Sequence, residues 1–288
     1  MYFASDPCNT RAVCIALMEK IRKQPELTWL ALVDCAFDYG RAGLSLPNKR
    51  YSLYDCDGTS DLLAASPFLI VLTAHDENQL RLELATLVRH RKERPMLSFI
   101  GTSAPAPAVN ENFQLFANAV TEDEHEFLLR FADTRVLAGL ASVLRQTYWD
   151  GMTCMLSEWI FIGREGKAQA LTLAENRAPL KSRFQLSSAE FAMLVANSEP
   201  DAIIDAIAES NPEALPDIPR AAIYDKVAAS CSFAQEHKVQ AFPDLVALAY
   251  LALLNGGKGL RDPKLSEMLL RSQWTAGSLI NDVADFVD

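Results

Sequence analysis

Four aspartates stand where apolar stretches of the chain end: Asp34 after WLALV, Asp55 and Asp57 in YDCDGT, and Asp133 after FLLRF. Carboxylates gathered at one edge of an open α/β sheet can hold a divalent ion or act as general acid and base, so a metal-dependent phosphoester hydrolase is one chemistry they allow. Asp at a strand end also turns the chain or caps the next helix, and that architectural use is the commoner one. Arg130, Asp133 and Arg135 raise the matching question for charge. An arginine in an apolar strand has to be paired, because a charge left alone away from water is costly. The expected arrangement joins Arg130 to Asp133, with Asp133 also capping a helix that begins near Thr134. Arg135 is expected to point outward or across to Asp34 or Asp55.

No stronger catalytic signature accompanies these residues. The chain lacks a G-x-S-x-G elbow, a P-loop, an H-E-x-x-H pair and a Rossmann glycine fingerprint, and GGKG at 256–259 reads as a helix end and turn. His75, His90, His125 and His237 share no ligand spacing with one another or with the cysteines, so neither a metal site nor a cofactor is expected. Cys8, Cys14, Cys35, Cys56, Cys154 and Cys231 include no C-x-x-C pair and read as reduced thiols. The basic run RHRKER (89–94) reads as a solvated helix end that complements the helix dipole. Trp149, Trp159 and Trp274 read as core residues, with interface anchoring as the alternative.

The elements that must position these side chains follow from periodicity. A helix is expected over Thr10–Arg22, with Val13, Leu17 and Ile21 on one face and Asn9 or Thr10 as cap. WLALVDCA (29–36) is a continuous apolar run of strand length, as in a strand buried on both sides. Further strands are expected at 67–74, 96–101 and 126–131, a helix over 77–94, and a hairpin with strands near 154–162 and 168–173. GTSAPAPAV (101–109) reads as a loop. After Pro179 helical periodicity takes over, at 189–196, 201–210, 218–237, 245–254, 264–273 and 279–286, with Pro200 and four other prolines near helix starts. The expectation is an α/β (α+β) N-terminal lobe with a mostly parallel sheet over residues 1–180, then an all-α C-terminal lobe over 181–288.

Bulk properties narrow the function classes. Half of the 288 residues are hydrophobic and 22% are charged, a folded composition. A net charge of −10 argues against nucleic acid or an anionic membrane as partner, and a protein or small molecule fits better. The start MYFASDPCNT has no basic residue before Arg11, and the most apolar segments are shorter than the ~20 residues of a spanning helix, so a cytoplasmic location is expected.

Taken together, WLALVDCA, the YSLYDCDGTSD segment with Gly58, the SPFLIVL strand and FLLRFADTRVLAGL resemble the type VI secretion effector adaptor or chaperone family, Tap/Tec-like and long labelled a domain of unknown function. That family's pattern runs from an apolar strand ending in Asp, through a Leu/Phe-rich segment with Gly and a Pro before a second apolar strand, to Arg-Phe-Tyr-Asp-Pro-Arg leading into a helix. Arg130, Phe131, Asp133 and Arg135 match its last part, while Ala132 and Thr134 stand where it has Tyr and Pro. The resemblance covers roughly residues 26–175 and, more loosely, the helical remainder. It implies a non-enzymatic cytoplasmic adaptor that binds a type VI secretion effector and helps load it onto a VgrG-type spike protein. Asp55, Asp57 and Arg135 are the expected partner-binding residues, with Arg130 and Asp133 as a structural ion pair and cap. A toxin-neutralising immunity protein is the alternative binder.

Overall fold

The computed structural model describes residues 2–55, 60–271, 274–283 and 286. Backbone contacts divide the chain into a unit of Pro7–Val195 and a second of Met1–Asp6 with Ala196–Asp288.

In the first unit α1 (Thr10–Arg22) leads to β1 (Thr28–Asp34), β2 (Arg50–Ser52), β3 (Pro67–Val71), α2 (Glu77–Arg91) and β4 (Leu97–Thr102). Then come α3 (Ala106–Ala117), β5 (Asn118–Thr121), β6 (Glu126–Leu128), α4 (Thr134–Val143), α5 (Gln146–Thr153), β7 (Leu156–Ile162), β8 (Ala168–Ala170) and β9 (Gln185–Leu186). The main sheet has the order β2-β3-β1-β4-β7-β8, and a small second sheet has the order β6-β5-β9.

Every neighbouring pair in the main sheet is antiparallel, which corrects the mostly parallel sheet expected from sequence. The reason is adjacency. β3, α2 and β4 do form a crossover unit whose strands run the same way, because each is antiparallel to β1. But β1 lies between them, as in a split βαβ arrangement, and turns both contacts antiparallel. Alternation of strands and helices along a chain sets relative direction, not which strand fills the gap.

The alternation within β1 explains its unbroken apolar run. Trp29, Ala31 and Val33 pack with Val13, Leu17 and Ile21 of α1 and Leu80, Leu84, Leu87 and Val88 of α2. Leu30 and Leu32 face the other way, into a cluster with Phe113 and Phe116 of α3, Leu137 and Leu140 of α4, and Trp149 of α5. The sheet is thus covered on both sides. Trp159 sits in this second core, stacked on Trp149 at 6.2 Å, with its indole N–H donating to Ser98 Oγ at 3.0 Å.

Two elements depart from expectation around proline. α3 starts inside the stretch read as a loop, since Pro107 occupies the first turn, where the missing N–H has no helical partner anyway. α6 (Ser188–Ser210) is one helix where two were expected. Pro200 lies inside it and costs a backbone hydrogen bond without ending it.

α6 begins with a reciprocal capping box: Ser187 Oγ accepts the Glu190 N–H at 3.2 Å, and the Glu190 carboxylate accepts the Ser187 N–H at 2.8 Å. Glu190 also takes the Arg145 guanidinium at 2.7 Å.

The remaining helices are α7 (Arg220–Glu236), α8 (Phe242–Leu253), α9 (Pro263–Leu270) and α10 (Ile280–Val283), so the C-terminal region is helical. Its core joins Ile203 and Ile207 of α6 to Ile223 and Val227, Leu248 and Leu251, and Leu265 and Leu269. Asp244, 1% exposed on α8, accepts hydrogen bonds from the Trp274 indole at 3.0 Å, Gly277 N–H at 2.8 Å and Leu279 N–H at 2.9 Å. That carboxylate ties the C-terminal segment to α8. Among the described residues no helix is long and apolar enough to cross a membrane.

The Glu190 tie carries a pH signature. Burial opposes ionisation, but the Arg145 guanidinium and the N–H groups of Ser187 and Arg145 outweigh it and bring the carboxyl down to about 2. An unfolded glutamate titrates near ~4.3, so the tie contributes in full above that pH and fades as pH falls toward 2. Denaturant unfolding of wild type and Glu190→Gln should differ by about 2 kcal/mol at pH 7 and converge near pH 2. A difference that does not change with pH would exclude the tie as the cause.

Candidate functional site

The end of β1 gathers charge. Asp34, its last residue, is 1% exposed; its carboxylate accepts the Ala36 N–H at 3.1 Å, starting a 3-10 turn over Cys35–Asp38, and the Arg130 guanidinium at 2.8 Å. Asp133 caps α4 by accepting the Arg135 N–H at 3.0 Å, and the Arg135 guanidinium closes on both its oxygens at 2.7–3.2 Å. The partners are therefore exchanged relative to the expected Arg130–Asp133 pair: Arg130 reaches back to Asp34, and Arg135 holds its own helix cap. Both guanidinium groups lie over the Phe37 ring, at 5.0 and 5.7 Å.

A third carboxylate completes the cluster. Asp38 takes Arg94 Nη1 at 2.5 Å and His90 Nε2 at 2.9 Å, and Arg94 also donates to the Phe37 carbonyl at 2.9 Å and to the His90 carbonyl. Arg94 is 6% exposed and Arg91 1%, which corrects the reading of RHRKER as a solvated helix end. In this run Arg91 and Arg94 turn inward, and Arg89 and Lys92 face solvent.

Electrostatics follow burial. Loss of water pushes the Asp34 carboxyl up from its ordinary value, Arg130 pulls it back, and nearby Asp133 adds to the rise. The Cys35 thiol is pushed up to about 12, by burial first and then by Asp38 and Asp34. Burial and then Asp34 likewise raise the Tyr54 hydroxyl to about 12.

The other residues singled out in the sequence lie as follows. Asp55 is exposed, and its carbonyl accepts from the Gln114 side chain at 3.4 Å. Asp57, with Cys56 and Gly58, lies outside the described residues. Arg135 is 19% exposed and Arg130 38% at the side chain. Among the described residues no group of three or more His, Cys, Asp or Glu side chains is placed to hold a metal ion. Sequence reasoning missed Phe37, Asp38, His90 and Arg94. The spacing of Asp34 and Asp38 around an aromatic, in DCAFD, was the available signal.

At the opposite end of β1 an open groove of about 910 Å³ is lined by residues including Met18, Leu27, Thr28, Asn48, Thr73 and Leu80. Beneath it Glu83, 1% exposed, accepts from the Thr73 N–H at 2.9 Å, the Thr73 hydroxyl at 2.7 Å, Asn48 at 2.8 Å and Gln79 at 3.0 Å. Burial disfavours its charge, but these donors outweigh that cost and lower its pKa.

Residues 29–151, the span from the second residue of β1 into α5, match the family described as a domain of unknown function (DUF4123). All three Asp–Arg pairs fall inside that span. No curated protein and no solved structure matches the chain.

Removing Arg130 leaves the buried Asp34 carboxylate without its counter-charge. Arg130→Ala should therefore cost on the order of 3 kcal/mol and lower Tm by roughly 5–10 °C, with Asp34→Asn in the same chain recovering part of the loss. The exposed Arg183, 3.4 Å from Glu124 and Glu126, is the control, and its alanine variant should barely move Tm. Calorimetry on the four proteins decides it, and equal melting of Arg130→Ala and wild type would remove the pair as a structural tie.

Proposed function

We propose that this chain is a non-enzymatic adaptor that binds a type VI secretion effector and helps load it onto a VgrG-type spike protein. The observation that carries the reading is a coincidence of spans: the residues that resemble the adaptor family, from Asp34 through Arg130, Phe131, Asp133 and Arg135, lie inside the matched domain. Two of the aspartates that a phosphoester hydrolase would need have their oxygens engaged, Asp34 by Arg130 and the Ala36 N–H and Asp133 by Arg135. That commitment favours a scaffold over a metal site.

A scaffold for partners needs an accessible face. Beside the clamp, Tyr39 is 87% exposed, and Leu62 and Leu63 are 41% and 42% exposed on a short 3-10 segment that packs on the Cys35–Asp38 turn. Tyr and Arg are the residue types enriched at interface centres, and the exposed Tyr39 and the partly exposed Arg130 supply them on this part of the fold, with the two leucines adding apolar surface. On this reading the ion pairs hold the turn so that those side chains stay presented, and the partner supplies the apolar surface that covers them.

Co-expression with candidate effectors and spike proteins, followed by affinity purification and size-exclusion chromatography, tests the proposal. A stable co-eluting complex is expected, weakened at least tenfold by Tyr39→Ala combined with Leu62→Ala if that face is the centre of contact. Elution alone, while the partners are soluble and folded, would overturn it. Direct inhibition of a toxin's activity would identify an immunity role instead, and thermal stabilisation by a divalent ion would return the hydrolase reading.

A further inference from the structure

Arg91, the last residue of α2, is 1% exposed. Its Nη1 donates to the Lys92 carbonyl at 2.8 Å, but among the described residues Nε and Nη2 have no hydrogen-bond partner. A guanidinium buried in that condition is expensive unless an anion stands against it.

The packing of the first two helices identifies what faces it. Arg22 at the end of α1 pairs with Glu77 at the start of α2, so the two helices run antiparallel and the N-terminus of α1 lies by Arg91. There sits Cys8, immediately before the cap residue Asn9, whose side chain accepts the Ala12 N–H at 3.0 Å. The thiol is half-buried against the core between α1, α2 and the sheet. The β7–β8 turn presses on its backbone: a Cβ on Gly166 would lie 2.8 Å from the Pro7 carbonyl oxygen and 2.9 Å from Cys8 Cα. Burial draws Arg91 below its ordinary pKa, and the Cys8 sulfur opposes that pull first, with the Glu93 carboxylate after it.

We propose that Cys8 is an oxidation site: hydrogen peroxide converts its thiolate to a sulfenate, and Nε and Nη2 of Arg91 hold the resulting oxyanion. With the thiol proton lost to solvent, the sulfur attacks one peroxide oxygen. An S–O bond forms as the O–O bond breaks, and the departing hydroxide takes up a proton and leaves as water. Sulfur gives up two electrons and the peroxide accepts them. The start of a thirteen-residue helix adds its positive end to the guanidinium, so the site stabilises negative charge from two directions.

The other described thiols are built-in controls. Burial raises Cys14, Cys35, Cys154 and Cys231, Cys35 to about 12 and Cys231 to about 11, which suppresses their thiolates.

The full-length protein is treated with hydrogen peroxide and a cyclic 1,3-dione that traps sulfenate, and peptide mass spectrometry follows each cysteine over time. Cys8 should be labelled on the order of tenfold faster than those four thiols, with the lead vanishing in denaturant. In a folded Arg91→Met protein the Cys8 rate should fall toward theirs. Equal rates in the native wild type, a lead that survives denaturant, or an unchanged rate in folded Arg91→Met would each overturn the proposal. Should Arg91→Met fail to fold, the native and denatured wild-type rates decide.

Discussion

The charge that Asp34 carries into the end of β1 has to be met without water, and that end of the sheet is arranged around meeting it. Arg130 comes from 96 residues further along the chain to do so. A guanidinium drawn to a buried carboxylate brings its backbone with it, and so fixes the segment from β6 to α4 against the 3-10 turn after β1. Phe37 on that turn offers one aromatic face to both Arg130 and Arg135, while Asp38 on the same turn receives Arg94 from the end of α2. Three stretches distant in sequence thereby meet at Asp34, Phe37 and Asp38. Desolvation makes each pair weak as a source of stability and strict as a specification, because any other arrangement would strand a charge.

The same logic recurs wherever a carboxylate is buried. Glu83 and Asp244 are met by N–H and O–H donors alone, and Glu190 by a capping serine and an arginine. Each joins pieces that the hydrophobic clusters leave undefined: the end of β3 to α2, the C-terminal segment to α8, and the start of α6 to α5. Apolar packing is non-directional, so it compacts these pieces without choosing their register, and the hydrogen-bonded acids choose it.

Local chemistry was legible. The bounds of α1 fall where the cap and periodicity put them, and β1, β3, β4 and β7 overlap the apolar runs, with β1 and β4 each reaching one residue beyond theirs. Asp133 ends its strand segment as a cap because its side chain needs only the next turn of backbone. The failures share one physical form. The parallel sheet, the Arg130–Asp133 pair and the solvated RHRKER run were each inferred from neighbours in sequence, and each was decided by a neighbour in space. Proline misled in two ways: in the first turn of α3 Pro107 breaks no helical hydrogen bond, and within α6 the cost of Pro200 is outweighed by the burial of Ile203, Ile204 and Ile207.

By itself the sequence determined α1, α2, β1, β3, β4 and β7 and the burial of β1 on both faces, since periodicity acts residue by residue. Only the tertiary structure decided that β1 enters between β3 and β4, that Asp34 takes Arg130 while Asp133 keeps Arg135, and that Arg91 turns inward toward Cys8. Those outcomes depend on which surfaces meet, and a strand edge or a guanidinium has several partners of nearly equal local energy. The choice among them is made by the packing of the whole sheet.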